Sequence, residues 1–269
     1  MALSFNKRVN PELSFRGFRQ KGNANPHGWG LAFYPDQSAQ IFKEPIRANE
    51  SKLSNFIKDY NNIRSKLFIS HVRIMSSGST LYKNTHPFSR EFDAKEYVFA
   101  HNGTLGQDFK SRVRTEFFKP IGETDSELAF CYLLEGIKKR NNNSLNYDFD
   151  WLNNKLKEIN DYGRLNCIFS DGDYLFCYHD KNGYNGLKFL KRKAPFDNVI
   201  LRDEDFEINL DEEKDPSQEG YIIATKALTY ENWKDFEAGE LKVFNDGKII
   251  YSNHHKNEKV VYLLQREQK

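Results

Sequence analysis

The chain has 269 residues, with 40 basic and 38 acidic side chains and a formal net charge of +2. This near-balance lacks the electrostatic signature of a nucleic-acid or anionic-membrane partner, and no apolar run approaches the roughly 20 residues of a membrane span. Aromatic residues make up 14% of the chain, so we expect a globular protein with an aromatic-rich core. Cys131, Cys167 and Cys177 lie in apolar runs without metal-ligand spacing. With no signal peptide at the start, they predict buried free thiols in a cytoplasmic protein that uses no metal or cofactor.

The first half of the chain predicts strands that end in polar clusters. A strand begins almost at Met1, residues 14–20 form a short mixed segment, and residues 29–34 pair with residues 38–43 as a hairpin. Residues 51–60 have the apolar spacing of a helix, and residues 66–71 are typical of a buried strand that ends at His71-Val72-Arg73.

A second buried strand, Val98-Phe99-Ala100, is expected to stop at His101-Asn102-Gly103. Taken alone, Asn-Gly is the commonest hairpin signal, and a simple turn is the first interpretation. The alternative is functional. A backbone N–H that is free of the sheet, beside an Asn side-chain amide, is a donor pair that can hold a developing oxyanion.

The second half predicts two helices and then further strands. Thr124 and Glu127 fit a capping box ahead of a helix that ends near residue 140, and residues 149–159 form the next helix. The acidic segment 204–218 is expected to be exposed, and the predicted strands cover residues 165–169, 174–178, 187–190, 220–225 and 241–251. This order favours one α+β domain, residues 1–269, with a charged tail from about residue 252, in which helical layers cover two sheets.

Taken together and in order, the polar clusters resemble the class II glutamine amidotransferases, and most closely a single-domain bacterial branch of that family. The motifs span nearly the whole chain and are His27-Gly-Trp-Gly30, His71-Val-Arg73, Asn84-Thr-His-Pro-Phe88, Ala100-His-Asn-Gly103, Gly122-Glu-Thr-Asp-Ser-Glu127, Ser170-Asp-Gly172, Lys193-Ala-Pro-Phe196 and Ala224-Thr225 with Leu228-Thr229. The resemblance implies the four-layer αββα sandwich of N-terminal-nucleophile hydrolases. It also implies hydrolysis of the side-chain amide of glutamine or of a γ-glutamyl amide, with a small-molecule substrate and an ammonia-accepting partner protein.

The resemblance also implies a role for each of five residues. Arg73 would bind the α-carboxylate of the substrate through two parallel charge-assisted bonds, and Asp125 would bind its α-ammonium. The side chain of Asn102 and the N–H of Gly103 would form an oxyanion hole. Ser76 stands where relatives place a hydroxyl that contacts the substrate.

The residues themselves leave simpler alternatives open. Arg73 fits a surface ion pair equally well, and Asp125 fits the first turn of a helix, where the dipole favours a carboxylate. Three histidines, His71, His86 and His101, suggest a metal cluster, but they lack a short ligand spacing, and we expect structural imidazoles instead.

The chain departs from the family at its start. The family nucleophile is an N-terminal Cys whose α-amine is the base, a few residues ahead of the segment that matches Ala2-Leu3-Ser4-Phe5, and no Cys stands there. We favour a start upstream of Met1, with about four to five residues missing ahead of Ala2, a spacing taken from the family pattern. The alternative explanation is a pseudoenzyme that binds a γ-glutamyl ligand. For the activity itself, the alternative to a glutaminase is a γ-glutamyl hydrolase acting on a peptide or modified amine. The chain as written is expected to be inactive.

Overall fold

The computed structural model describes residues 1–76, 78–140 and 148–254, so the predicted surface loop at residues 141–144 and most of the predicted C-terminal tail lie outside the described residues. The helices are α1 (Glu12–Arg19), α2 (Lys52–Asp59), α3 (Gln107–Arg112), α4 (Asp125–Arg140), α5 (Phe149–Asn160) and α6 (Leu210–Glu213), with 3-10 turns at Gln20–Asn23 and Tyr82–Asn84. The strands are β1 (Ala2–Val9), β2 (Trp29–Phe33), β3 (Gln40–Glu44), β4 (Ser65–Val72), β5 (Phe88–Phe92), β6 (Lys95–Leu105), β7 (Gly163–Ser170), β8 (Leu175–Tyr178), β9 (Lys188–Lys193), β10 (Asn198–Ile200), β11 (Glu207–Asn209), β12 (Glu219–Ala224), β13 (Lys234–Asp235), β14 (Leu241–Asn245) and β15 (Lys248–Ser252).

Two large antiparallel sheets form the middle of the molecule. The first has the order β13-β9-β12-β1-β4-β2-β3, and the second has the order β15-β14-β8-β7-β6-β5. Strand β1 therefore lies between β4 and β12, although these three strands are far apart in the sequence. Strands β10 and β11 pair separately as a small ribbon.

The buried side chains divide into layers that match this order. Small and aliphatic residues from β1, β4, β6 and β7 pack between the two sheets, for example Ala2, Ile69, Ala100 and Ile168. Helices α4 and α5 cover the outer face of the second sheet, and α1 and α2 cover the outer face of the first. The predicted αββα sandwich is confirmed. Among the described residues, none of the helices has both the length and the apolar character that crossing a membrane requires.

Strand β6 does not end where the sequence predicted. It continues through Asn102 and Gly103, which pair with Asn166 and Leu165 of β7, so neither the predicted stop nor a hairpin turn forms there. A Cβ on Gly103 would lie 2.1 Å from the carbonyl oxygen of Arg164, and glycine permits this close approach. The Asn-Gly pair thus serves strand packing, not chain reversal.

Helix α1 lies in a segment that carried no helical prediction. It buries Leu13, Phe15 and Phe18, and the Phe15 ring packs against Trp29 with centroids 6.0 Å apart. The helix has only eight residues, so three apolar positions do not amount to a readable period.

The start of α4 is capped as the sequence predicted, but only on one side. Thr124 Oγ1 accepts a hydrogen bond from the N–H of Glu127 at 3.1 Å. The Glu127 carboxylate accepts instead from the N–H groups of Ile121 (3.0 Å) and Gly122 (2.7 Å), so it holds the preceding loop and does not complete the capping box.

A second α4 carboxylate, Glu135, fixes the loop after α3. Glu135 is 5% exposed and accepts hydrogen bonds from the N–H groups of Glu116, Phe117 and Phe118. Burial by itself raises the pKa of Glu135. The three N–H donors lower it by a larger amount, so the pKa lies below its ordinary value.

We expect Glu135→Gln to lower the free energy of unfolding by about 2 kcal/mol at pH 7, because charge-assisted bonds are lost. Because the pKa of Glu135 is lower in the folded state, its carboxylate stabilises the fold at pH values above the pKa of the unfolded state. This stabilisation is lost as the pH falls toward the folded-state pKa, so the difference in unfolding free energy between the two proteins should shrink below about pH 4. Urea unfolding followed by circular dichroism measures it. The exposed neighbour Glu116→Gln is the control, and equal stability of the two variants at pH 7 would contradict the prediction.

Candidate active site

The ends of β4 and β6 open onto one small cavity of about 100 Å³, here called the polar cavity. Its wall includes all five residues that the sequence singled out, together with the three histidines. The five are Arg73, Ser76, Asn102, Gly103 and Asp125. Residues from three distant parts of the sequence thus meet at one edge of the sandwich.

Arg73 is a buried residue of this cavity, with 2% of its surface exposed. Its guanidinium donates to the carbonyl oxygens of Gly78 and Ser79, each at 3.3 Å. Burial lowers the pKa of Arg73, and the charge of Asp125 opposes that effect. Burial rules out the simpler interpretation of Arg73 as a surface ion-pair partner.

Asp125 is the first residue of α4 and is also 2% exposed. Its Oδ2 accepts a hydrogen bond from the N–H of Leu105 at 2.6 Å, which joins the start of α4 to the end of β6. The helix-terminal interpretation of Asp125 is therefore correct as to position, and the same position brings the carboxylate to the wall of the polar cavity.

The side chain of Asn102 is held by a residue that the sequence analysis missed. Asn185 Nδ2 donates to Asn102 Oδ1 at 2.9 Å. Because the carbonyl end of the Asn102 amide is occupied, its NH₂ end points away from Asn185. Strand β5 pairs with β6 only as far as Phe99, so beyond that residue one edge of β6 has no strand neighbour among the residues that the structure describes.

Asn185 lies in a loop, residues 180–186, with its own supports. Asp180 accepts hydrogen bonds from the N–H groups of Asn182 (2.9 Å) and Tyr184 (3.3 Å), and Asn166 Nδ2 donates to the Tyr184 carbonyl at 2.6 Å. Asn185 has φ of 57°, a conformation that Asn tolerates. The paired Asn-Gly dipeptides at 182–183 and 185–186 mark this tight loop, but they do not show which side chain the loop contacts.

The three histidines lie in the wall of the polar cavity. The rings of His71 and His86 lie 4.3 Å apart, and His86 also packs against Phe88 at 4.5 Å. His101 bonds to Ser126 Oγ at 2.9 Å and to the Arg164 carbonyl at 3.0 Å. Burial lowers the pKa of each imidazole, that of His71 to about 3, so the rings are neutral at pH 7. Within residues 1–76, 78–140 and 148–254, no group of side chains has the geometry to hold a metal ion.

A second cavity of about 270 Å³ adjoins the polar cavity and shares His71, Val72 and Asn102 with it. Met1 lies in its wall. The buried amino group of Met1 donates to the Ser70 carbonyl at 2.8 Å, and burial lowers the pKa of that amine to about 5. The amine is therefore largely neutral at pH 7.

The register of the first sheet shows that this second cavity lies beyond the start of β1. The Ser70 N–H bonds back to the Met1 carbonyl at 2.8 Å, and Ala2 pairs with Ile69 on one side and Ile223 on the other. Strand β4 continues to Val72 and β12 to Ala224, past the point where β1 starts. In an antiparallel ladder the Val72 peptide faces the same side as that of Ser70, which is toward the cavity.

Strands β4 and β12 flank β1, so two strand spacings, about 9.5 Å, separate them. The cavity that continues the line of β1 between them has the width of one extended chain. We call it the strand gap and define it by its walls, Ser70 to Val72 on one side and Ala224 to Lys226 on the other.

Cysteine side chains lie elsewhere. Cys131, Cys167 and Cys177 are buried free thiols, as predicted. None of them contributes to the wall of the polar cavity or of the strand gap. Burial raises the pKa of all three thiols, which keeps them protonated and unreactive at pH 7.

The fold is that of an amidotransferase domain, and comparison with known proteins agrees. The family model of class-II glutamine amidotransferases matches residues 1–267, and the chain belongs to this family. The chain is 49% identical over 254 residues to uncharacterized protein MJ1515 of Methanocaldococcus jannaschii, an alignment that covers 94% of this chain and 70% of the relative.

Two further relatives carry the family name. YafJ of Escherichia coli K12, whose assignment as a glutamine amidotransferase is provisional in its name, is 34% identical over 257 residues, or 93% of this chain and 98% of YafJ. The crystal structure of a predicted glutamine amidotransferase from Pseudomonas aeruginosa PA01 superposes with a TM-score of 0.65 at 29% identity, covering 84% of this chain and 87% of that one. The predicted family and fold are confirmed.

Proposed function

We propose that the polar cavity binds glutamine, or the γ-glutamyl part of a larger amide, for hydrolysis of its side-chain amide bond. The observation that carries this proposal is the meeting of Arg73, Asp125, Asn102, Gly103 and Ser76 around one cavity of about 100 Å³. Arg73 binds the α-carboxylate, Asp125 binds the α-ammonium, and the Ser76 hydroxyl contacts the ligand.

The charges of the cavity support an amino-acid ligand. A buried guanidinium and a buried carboxylate face each other, and an α-amino acid presents the opposite charges in the same small space. The low exposure of both side chains reduces screening by water, so each ion pair with the ligand is stronger than at the surface.

The chemistry at the amide carbon uses two parts of the site. A thiolate would attack the carbonyl carbon, and the oxyanion that forms would be held by the Asn102 amide and the Gly103 N–H. Expulsion of the amine, protonated by the nucleophile's base, leaves a thioester that water hydrolyses to glutamate. An amidotransferase would hand the released ammonia to an acceptor, and a partner protein is the proposed acceptor.

None of the three cysteine thiols lies in the wall of the polar cavity or of the strand gap. In this fold, the strand gap is the place that an N-terminal strand carrying the nucleophile would occupy, because it continues β1 and reaches the wall at Asn102. A polypeptide without that strand would bind γ-glutamyl ligands and leave them uncleaved.

Titration with truncated ligands tests the glutamyl pocket directly. We expect L-glutamine to bind, and we expect glutaramate, which lacks the α-ammonium, and 4-aminobutanamide, which lacks the α-carboxylate, to bind roughly 10- to 100-fold more weakly, because each leaves one buried charge without its partner. Isothermal titration calorimetry measures the three affinities. Equal affinity of the three ligands, or no binding of glutamine, would refute the pocket.

Asn185 is expected to position the oxyanion hole without touching the substrate. In a cysteine-bearing, active form, Asn185→Asp removes the donor that orients Asn102 and should lower kcat about 10- to 100-fold with little change in KM, since the effect is on the transition state. Asn182→Asp adds the same charge to the same loop at an exposed side chain and is the matched control. If both variants lose activity equally, the loop charge and not the Asn102 contact is responsible.

A further inference from the structure

Asn84 is a fully buried residue that lines neither the polar cavity nor the strand gap. It ends the second 3-10 turn. Its side-chain amide lies between two loop segments, residues 78–79, which follow Arg73, and residues 122–123, which precede Asp125. The contacts of this amide are therefore close, along the chain, to both the cation and the anion of the polar cavity.

The Asn84 amide is connected to Arg73 through a shared carbonyl oxygen. Asn84 Nδ2 donates to the Ser79 carbonyl at 3.0 Å, and the Arg73 guanidinium donates to the same oxygen at 3.3 Å. A backbone carbonyl oxygen has two lone pairs and can accept both hydrogen bonds. Asn84 therefore fixes the position of an oxygen that orients the Arg73 guanidinium.

The same amide also holds the segment that leads into α4. Asn84 Oδ1 accepts a hydrogen bond from the N–H of Glu123 at 3.0 Å, and Asn84 Nδ2 donates to the Glu123 carboxylate at 3.1 Å. Glu123 stands two residues ahead of Asp125, which is the first residue of α4. One side chain thus joins the backbone beside the cavity's cation to the backbone beside its anion.

Two glycines let the backbone pack closely against this amide. A Cβ at Gly122 would clash with Asn84 Oδ1, and a Cβ at Gly78 would lie 3.0 Å from Asn84 Nδ2. Gly78 also has φ of 71°, in the left-handed region that favours glycine. The amide is therefore enclosed at both its oxygen and its nitrogen, which leaves it little freedom to move.

We propose that Asn84 is a positioning residue that sets the distance between the Arg73 guanidinium and the Asp125 carboxylate. This inference rests on the proposed function, because the distance matters for a ligand that carries both an α-carboxylate and an α-ammonium. An amino acid has both groups on one carbon atom, so it cannot stretch to suit a changed distance. A ligand with only one of the two groups can shift toward its single partner.

Asn84→Ala in the 269-residue chain tests this role by isothermal titration calorimetry. We expect L-glutamine to bind about 10-fold more weakly than it binds the unaltered chain. Glutaramate and 4-aminobutanamide, which carry one of the two charged groups each, should lose less than about threefold in affinity. A purely structural role of Asn84 would weaken the three ligands alike.

Thr85→Val is the matched control. Thr85 is also fully buried, and its Oγ1 donates to the Leu81 carbonyl at 3.0 Å, so the variant loses a hydrogen bond of the same loop that involves neither Ser79 nor Glu123. This control should leave the relative affinities of the three ligands unchanged. If Thr85→Val weakens glutamine selectively, as Asn84→Ala is expected to do, the effect belongs to the loop as a whole and the inference is overturned.

Asn84→Asp is the second variant, for the case that Asn84→Ala does not fold. It keeps the side-chain volume and the acceptor for the Glu123 N–H but loses the donor to the Ser79 carbonyl, so glutamine should again lose more affinity than 4-aminobutanamide. An equal change for these two ligands, or no change, overturns this inference and leaves the glutamyl pocket standing. Failure of the unaltered chain to bind glutamine overturns the pocket, and this inference with it.

Discussion

The 269-residue polypeptide is expected to release no ammonia from glutamine, whereas an N-terminally extended form that begins with cysteine is expected to do so. In the proposed function the polar cavity is the amino-acid pocket, Asn102 and Gly103 are the oxyanion donors, and the extension would add a thiol with a free α-amine as its base. Supplying it should raise the rate by about a million-fold, the size of effect seen when a nucleophile is removed from a hydrolase.

The length of the extension is itself a sharp test. The added residues are expected to enter the strand gap between Val72 and Thr225 and to continue β1. Side chains alternate between the two faces of a strand, so adding or removing one residue turns the thiol to the opposite face. In a series of about three to seven added residues, activity should appear at one length and fall at its neighbours.

Controls separate chemistry from folding. The same extension beginning with alanine should fill the strand gap and bury the surface around it, which should raise the thermal midpoint of unfolding. This alanine form should have no activity. An extra residue ahead of the cysteine removes the free amine at the nucleophile and should also abolish turnover. Ammonia release by the unextended chain, or silence of every extended form, would show that the nucleophile has been placed wrongly.

The second large effect is expected at Arg73. Replacing it with methionine keeps much of the side-chain volume and removes the guanidinium, so L-glutamine should bind roughly 100-fold more weakly, the range for a buried charge-assisted pair. The weak binding of 4-aminobutanamide, which has no α-carboxylate, should not fall further. This difference between ligands assigns the loss to the carboxylate contact.

The paired ligands also protect the Arg73 test from a folding artefact. Arg73→Met leaves Asp125 buried without its facing cation, which lowers stability by a mechanism common to every ligand. Lower stability would weaken the binding of both ligands, whereas loss of the contact with the α-carboxylate would weaken the binding of glutamine more than that of 4-aminobutanamide. Arg47 is exposed, so Arg47→Met is the control for removing a guanidinium. If Arg73→Met binds glutamine as well as this control variant does, the assignment of Arg73 to the α-carboxylate is refuted.

Much of the candidate site could be predicted from sequence because its residues belong to short motifs with fixed local chemistry. Arg73 and Ser76 follow a buried strand, Asp125 opens a capped helix, and Asn102-Gly103 places a side-chain amide beside a glycine, so each motif carries its own signal. The ordered set then indicated the family and the fold, both of which the comparisons confirm. The roles of the five residues stay predictions until the titrations are done.

Features that depend on strand order could not be predicted in this way. The strand gap beside Met1 exists because β1 lies between β4 and β12, whose pairing residues are more than 50 and more than 200 positions away in the sequence. The passage of β6 through Gly103 depends on the nearby carbonyl of Arg164, and the orientation of Asn102 depends on Asn185 in a distant loop.

The sequence by itself therefore determined the family, the layered fold and the five residues of the polar cavity, because local patterns report on local backbone and on recognisable chemistry. The tertiary structure alone decided that a cavity continues the line of β1 between β4 and β12, and that Asn185 holds the side chain of Asn102. The physical reason is that these features arise between distant segments that strand pairing brings together, and the register of that pairing cannot be predicted from any one segment alone.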